Sequence, residues 1–370
     1  MEISKFKTSL LSLVLPVKKK QVYCCSFSGR YYSDSPRKIS EYIQEHYPEH
    51  TVVWGYHNGY QDNFPDHIEK VKIGSFKWVK AMLTSGYWVS NARLPLEMHK
   101  PHKTVYLQTW HGTPLKRLAN DMEVVNIVNM DPETYISEFL EETSRWDYLI
   151  SPNKYSTPIF ESCFDYKAEI LEYGYPRNDD LFLRNTPDEI NRIKEELNIP
   201  QNKKVVLYAP TWRDTKNFRL PFSLYQMRQT LGEDYVLLTR FHYLVRDRVA
   251  TGHYEEFCYD VSDYPETSDL YLISDVLITD YSSTMYDFSL LKRPIILFMD
   301  DLELYKNDLR GFYYDIEAKP LGQVVKEQEK LGDAILNSEK LLPNFLPNYE
   351  EFTSKYNGDS SKHIVEKVFK

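Results

Sequence analysis

The sequence predicts an α/β protein built from two Rossmann-like, doubly wound domains, and three observations carry that prediction. Short runs rich in β-branched and aromatic residues recur along the chain. Many are continuously apolar rather than alternating, the pattern of parallel strands buried on both faces. Helix-type stretches fall between them, and repeated strand–helix alternation means parallel sheets flanked by helices. The chain of 370 residues has room for two domains of ordinary size.

In chain order, the first set of candidate strands is 21–27, 51–55, 87–90, 104–108, 148–151 and 170–172. The second set is 204–209, 235–240, 257–259, 276–279 and 294–298. Helical patterns fill 36–47, 135–144, 187–197 and 284–291. The alternation breaks across 179–204, a charged helical stretch that ends in Asn198-Ile199-Pro200-Gln201-Asn202, a helix stop and turn. The expected division is therefore a basic N-terminal segment (1–20), an N-terminal Rossmann-like domain (21–185) and a C-terminal one (200–370), with a cleft between the two domains. Ligands of such sheets sit outside the carboxyl ends of the strands, so loops that directly follow strands are the places to search.

Composition narrows the class. A net charge of −9 argues against a general nucleic-acid binder. That charge is uneven: residues 1–40 hold eight Lys and Arg against two acids, a net +6, which leaves −15 for the remainder. A basic end on an acidic body points to an anionic surface as partner. The early apolar run Leu10-Leu11-Ser12-Leu13-Val14-Leu15 is far short of the ~20 residues a spanning helix needs, and Lys18-Lys19-Lys20 follows it rather than a cleavage site. With Ile3 and Phe6 it can form a short amphipathic helix on a bilayer, or fray in solvent. The four cysteines, Cys24, Cys25, Cys163 and Cys258, have no metal-binding spacing, and a reducing compartment without structural disulfides is expected. The 30 tyrosines serve either as core filler or as half-wet surfaces for sugars and polyols.

Chemistry gathers in the loops after strands. Trp110-His111-Gly112-Thr113-Pro114 follows one strand directly, which puts a proton acceptor beside a residue that leaves room for a ligand. Ser282, Ser283 and Thr284 lie where a helix begins, and free N–H groups, the helix dipole and hydroxyls there attract phosphate. Asp287, in the same helix, joins that set. Arg240 and His242 alternate after another strand and share a face if the chain stays extended, suited to charge on a leaving nucleotide. Thr211 and Arg213, and Arg177 in Gly174-Tyr175-Pro176-Arg177-Asn178-Asp179, are further phosphate-binding candidates. No P-loop, G-x-G-x-x-G, H-E-x-x-H or G-x-S-x-G motif occurs, and the acidic run Asp300-Asp301-Leu302-Glu303 lacks a clear metal-ligand pattern, so no metal-ligating residue is assigned and metal dependence stays open.

The ordered set of motifs resembles the CDP-glycerol glycerophosphotransferase family of teichoic acid synthesis. It comprises the runs at 110–114, 174–179, 209–213, 240–245 and 274–283, Lys292-Arg293-Pro294, and Arg310-Gly311-Phe312-Tyr313. The resemblance implies a GT-B fold and transfer of glycerol phosphate, or ribitol phosphate, from a CDP-polyol with release of CMP. It implies a polyprenyl-linked saccharide or growing polymer as acceptor at the cytoplasmic face of the membrane, where the enzyme is peripheral. It maps the family's two essential histidines onto His111 and His242, and its diphosphate-binding helix start onto Ser282, Ser283 and Thr284. No cofactor beyond the CDP-glycerol or CDP-ribitol substrate is implied. Two rivals remain open: a GT-B glycosyltransferase using a nucleotide sugar, and a non-catalytic member that binds polymer.

Overall fold

The computed structural model describes residues 3–122, 131–211, 220–241, 254, 256–303, 311–354 and 358–369. The chain forms two compact units. The first holds Met1–Gly112, Leu118–Asp179 and Ser354–Lys370; the second holds Thr113–Arg117 and Asp180–Thr353. Each is built on one fully parallel sheet, as the apolar runs predict.

In the first unit the strands are β1 (Lys18–Cys25), β2 (Thr51–Tyr56), β3 (Lys70–Lys72), β4 (Ser85–Ser90), β5 (Val105–Gln108), β6 (Tyr148–Ile150) and β7 (Glu169–Leu171). Their spatial order is β3-β2-β1-β4-β5-β6-β7. The order reverses between β1 and β4, the switch point at which doubly wound sheets open a crevice. All six residues of β4 are buried, and only a glycine at position 86 lets the β4 backbone close on β1, since a Cβ there would stand 2.6 Å from the Lys19 carbonyl oxygen.

The second sheet contains β8 (Lys204–Tyr208), β9 (Tyr235–Thr239), β10 (Cys258–Asp260), β11 (Val276–Thr279), β12 (Ile295–Phe298) and β13 (Gln323–Val325). The order is β10-β9-β8-β11-β12-β13, with its switch point between β8 and β11. The buried strands β9, β11 and β12 match the runs read from the sequence almost residue for residue. The two strands not foreseen, β3 and β13, are three-residue edge strands, too short to show an apolar run; lysines flank β3's single valine and discourage edge pairing.

Three expectations about organisation change. The tract Lys18-Lys19-Lys20 is the exposed start of β1, not part of a separate 1–20 segment. The crossing between units lies at Asp179–Asp180, so residues 180–185 belong with the second unit. The C-terminal stretch returns to the first unit: helix Ser360–Val368 packs on helix Asp34–His46, and Ile364, Val365, Val368 and Phe369 join the first core. That return is capped by Asp179, whose carboxylate accepts from the Ser360 N–H at 3.0 Å, the Ser361 N–H at 2.9 Å and the Ser361 hydroxyl at 2.7 Å. The N-terminal apolar run is an ordered helix, Lys5–Val14, with Ser4 accepting from the Lys7 N–H as its cap.

Candidate active site

In the first unit the loops after β1, β4, β5 and β7 meet around His111. Trp110 takes a left-handed backbone conformation at φ 53° and stacks on the His111 ring, centroids 4.6 Å apart. The His111 side chain is aimed by one bond, Nδ1 to the Asn91 carbonyl oxygen at 2.7 Å. A carbonyl oxygen can only accept, so Nδ1 carries the proton and Nε2 keeps a lone pair. Asn91, itself fully buried, is held in turn: its Oδ1 accepts from the Phe27 N–H at 2.7 Å and its Nδ2 donates to the Ser26 hydroxyl at 3.2 Å.

Arg177 lies in this same cluster. Its Nη1 donates to Asp34 Oδ2 at 3.1 Å and to the carbonyl of His111 at 2.9 Å, and its guanidinium lies 4.8 Å from the Tyr175 ring centroid. Tyr175 braces the next residue, its hydroxyl donating to the Gly112 carbonyl at 3.1 Å. Arg177 was grouped with the phosphate-binding residues on sequence; here it fastens the backbone of the histidine loop. The surface of His111 is exposed, yet the protein crowded around it lowers the imidazole pKa below its ordinary value, by desolvation first. The Asn91 hydrogen bond and the negative charge of Asp34 oppose that fall, and Arg177 adds to it. The net result favours a neutral, proton-accepting ring at neutral pH.

In the second unit the expected phosphate-binding residues gather at the carboxyl ends of β8, β9 and β11, beside its switch point. Asp280 ties two of these loops together, Oδ1 accepting from the N–H of Thr211 at 2.8 Å and of Tyr281 at 2.6 Å. The Thr279 hydroxyl adds a bond to the Ala209 carbonyl at 2.7 Å. Ser282, Ser283 and Thr284 are half-exposed at the start of helix Thr284–Ser289. Ser283 makes no side-chain cap; Ser282 accepts from the Thr284 N–H at 3.3 Å and shares a 2.9 Å hydroxyl contact with Thr284. Asp287 is buried one turn on. Arg240 spends part of its guanidinium on the loop after β10, with Nη1 donating to the carbonyls of Tyr264 at 2.6 Å and Val261 at 3.4 Å. His242 and Arg213 lie outside the described residues. Among the described residues no cluster of His, Cys, Asp or Glu has the form of a metal site.

Sequence reasoning missed Asn91, Asp34 and Asp280. Asn91 and Asp280 obey the rule that found His111, a polar residue directly after a strand, and Asp34 opens the helix that follows β1, but each acts through partners distant in the chain. Arg177 and Asp34, for example, are 143 residues apart.

Comparison with known proteins gives the family and the fold. The model of the family described as CDP-glycerol:poly(glycerophosphate) glycerophosphotransferase matches residues 7–370. The chain is 45% identical to a teichoic acid poly(glycerol phosphate) polymerase of Bacillus subtilis (strain 168), over 100% of this chain but only 51% of that protein, so it spans about half the length of that relative. It is 43% identical to a teichoic acid glycerol-phosphate transferase of Staphylococcus aureus (strain NCTC 8325 / PS 47), over 100% of this chain and 97% of the other. A structure of the wall teichoic acid polymerase TagF superposes with a TM-score of 0.91 at 40% identity, covering 100% of this chain and 98% of that one. A UDP-N-acetylglucosamine 2-epimerase from Listeria monocytogenes shares the fold alone, with a TM-score of 0.54 at 13% identity. With a histidine loop and a hydroxyl-lined helix start on two Rossmann-like sheets, and a family match over nearly its whole length, the chain belongs to the CDP-glycerol:poly(glycerophosphate) glycerophosphotransferase family.

Proposed function

We propose that the chain transfers glycerol phosphate from CDP-glycerol to a hydroxyl of a teichoic acid polymer and releases CMP. The observation that carries this is the His111 ring, locked by Asn91 in the tautomer that leaves Nε2 free to accept a proton, in a chain of this family. The acceptor oxygen attacks the phosphorus that bears the glycerol; Nε2 takes the hydroxyl proton, and the bond to CMP breaks with its electron pair leaving on the nucleotide. Phosphoryl transfer is mostly positioning and charge stabilisation, so one base and a phosphate cradle suffice. The cradle is assigned to Ser282, Ser283, Thr284 and the neighbouring Thr211, Arg240 and Asp287, together with His242 and Arg213. Arg177 is assigned to holding the base, on the strength of its bonds to Asp34 and the His111 carbonyl.

The acceptor is proposed to be polyprenyl-linked, which places the enzyme peripherally on the cytoplasmic face of the membrane. Among the described residues no helix is long and apolar enough to cross a bilayer. Support for surface attachment comes from helix Lys5–Val14. Leu11 and Leu15 pack against the core and Thr8 is buried, while Phe6, Leu10, Leu13 and Val14 are 74%, 50%, 80% and 75% exposed on the opposite face.

The deciding experiment supplies CDP-glycerol, CDP-ribitol or a UDP-sugar with a polymer acceptor, and follows nucleotide release and product mass. CMP release with CDP-glycerol and growth of the acceptor by glycerol phosphate units are expected. Sugar transfer without CMP release would replace this reading with that of a glycosyltransferase.

A further inference from the structure

An aromatic track leads away from His111 across the strand ends of the first unit. The Phe27 ring meets His111 edge-on, with centroids 6.1 Å apart. Tyr31 follows at 6.4 Å from Phe27, Tyr60 at 6.3 Å from Tyr31, and His57 at 6.0 Å from Tyr60, all edge-to-face. Phe27, Tyr31 and Tyr60 are half-buried and His57 is exposed, so the rings keep open surface rather than forming a closed core. They come from the loops after β1 and β2, on the same edge of the sheet as His111.

The track is held rigidly. Phe27, Ser28 and Gly29 are successive left-handed positions, with φ of 46°, 57° and 82°. Two of these are non-glycine residues whose strain persists only because the surroundings enforce it. The Phe27 N–H is fixed by Asn91, the residue that also aims His111. The two loops are pinned to one another: the His57 N–H donates to the Gly29 carbonyl at 2.7 Å, and the Asn63 side chain donates to the Arg30 carbonyl at 2.8 Å. A Cβ on Gly29 would stand 2.8 Å from the His57 backbone nitrogen, so the close approach of the loops requires glycine there. Neither the Tyr31 nor the Tyr60 hydroxyl has a hydrogen-bond partner among the described residues. Charge on these loops is exposed and of both signs, Arg30 against Asp62, Asp66 and Glu69, so the rings are the continuous surface beside His111.

We infer that Phe27, Tyr31 and Tyr60 form an acceptor subsite that holds a polyhydroxylated chain, its C–H faces on the rings and its hydroxyls on the tyrosine oxygens, just behind the hydroxyl presented to His111. This rests on His111 marking the reacting centre. Aromatic rings suit such a ligand because they give apolar contact and a polar tip at low cost in side-chain entropy. Two sources share that chemistry: the polyol phosphate chain of the growing polymer and the saccharide at its root.

The test measures direct binding, without CDP-glycerol, of a synthetic glycerol phosphate oligomer and of a saccharide acceptor lacking glycerol phosphate. The proteins are the parent, Tyr31→Ala/Tyr60→Ala, Tyr31→Leu/Tyr60→Leu and Tyr31→Phe/Tyr60→Phe. Loss of two ring contacts is expected to weaken the preferred ligand about tenfold in both the Ala and Leu variants, the Phe variant falling between them and the parent. CDP-glycerol affinity and the amide hydrogen-exchange protection of β1, β2 and β4 should stay at parental values. The ligand that responds identifies the source. Oligomer and saccharide affinities both unchanged in the Ala and Leu variants would overturn the subsite, as would a parallel loss of CDP-glycerol affinity and of exchange protection in β1, β2 and β4. His111→Gln turnover is measured beside them: full turnover there removes the reacting centre, while the binding data still judge the track.

Discussion

The role proposed for His111 depends on four neighbours as much as on its own identity. Asn91 fixes the proton on Nδ1, Trp110 fixes the ring plane, and Arg177 and Tyr175 fix the backbone on either side of the peptide that follows. His111→Gln keeps a hydrogen bond to Asn91 but loses the basic nitrogen; turnover should fall roughly 100- to 10,000-fold with CDP-glycerol affinity retained. Folded His111→Gln protein with near-parental turnover would remove the base assignment. The pH dependence has a definite sign. Because desolvation lowers the His111 pKa below 6.5, the base form dominates at neutral pH, and kcat/KM should decline only on the acid side, as pH falls through the lowered value. Asp34 acts in the opposite sense, raising that pKa by its negative charge. Asp34→Asn should therefore move the acid limb to lower pH while the plateau persists. The substitution suits the site, since Asp34 sits at φ 63°, a conformation asparagine tolerates. An acid limb that stayed fixed or rose would show that Asp34 does not act on His111. The histidine was legible in the sequence because residue type and post-strand position coincide. Asn91 was not, because its contributions come from a main-chain carbonyl and from a side-chain bridge to a loop some 65 residues away, which no local pattern records.

At the scale of elements, Gly174 and Asp179 of the motif 174–179 organise a helix. Gly174 adopts φ 81°, and a Cβ there would stand 2.8 Å from the Ser360 hydroxyl. Asp179 caps helix Ser360–Val368 with three accepted bonds, although burial raises its pKa. Asp179→Ala removes three accepted bonds at the start of that helix, and losing such a cap costs about 2 kcal/mol. With two units, one global unfolding midpoint is a poor gauge. Amide hydrogen exchange read on Ser360–Val368 is the better one, and it should accelerate while exchange in β8, β9 and β11 does not. Unchanged protection of that helix would mean that its packing on Asp34–His46 suffices without the cap. The strands were legible where burial on both faces made them almost continuously apolar, as in β9, β11 and β12. They were hidden where the sheet ends, as in β3 and β13, whose three-residue length and polar flanks resemble loop. The return of the C-terminus to the first unit was hidden for a different reason: a short amphipathic helix fits either sheet, and what selects one is remote in the chain, the packing surface of Asp34–His46 and the carboxylate of Asp179.

At the scale of the whole molecule, an excess of basic residues and a group of exposed apolar side chains coincide near the start of the chain. Helix Lys5–Val14 is anchored from within, since the Thr8 hydroxyl donates to the Glu97 carbonyl at 2.7 Å and accepts from the His99 N–H at 3.1 Å. The exposed side chains Phe6, Leu10, Leu13 and Val14 recur at helical spacing and cannot reach that inner face. Helix Phe76–Thr84 packs beside it and adds Phe76, 59% exposed, with Lys77 and Lys80 exposed on the same helix. Lys7, Lys18 and Lys19 complete a basic border. Such a patch fits peripheral attachment to an anionic bilayer, with apolar side chains in the interface and lysines at the headgroups. Truncation at residue 20 would be a poor test, because it removes the first three residues of β1. Leu13→Glu/Val14→Glu leaves the inner face intact and should reduce binding to vesicles of phosphatidylglycerol and phosphatidylcholine by at least tenfold, since burying each apolar side chain contributes ~1.5–3 kcal/mol. Lys18→Gln/Lys19→Gln should weaken binding less, and the deficit should vanish at high salt, where attraction between separated charges is screened. Co-sedimentation measures both, with CMP release from a water-soluble acceptor as the control for an intact reacting centre. Parental vesicle binding by the Leu13→Glu/Val14→Glu protein would show that some other surface meets the membrane.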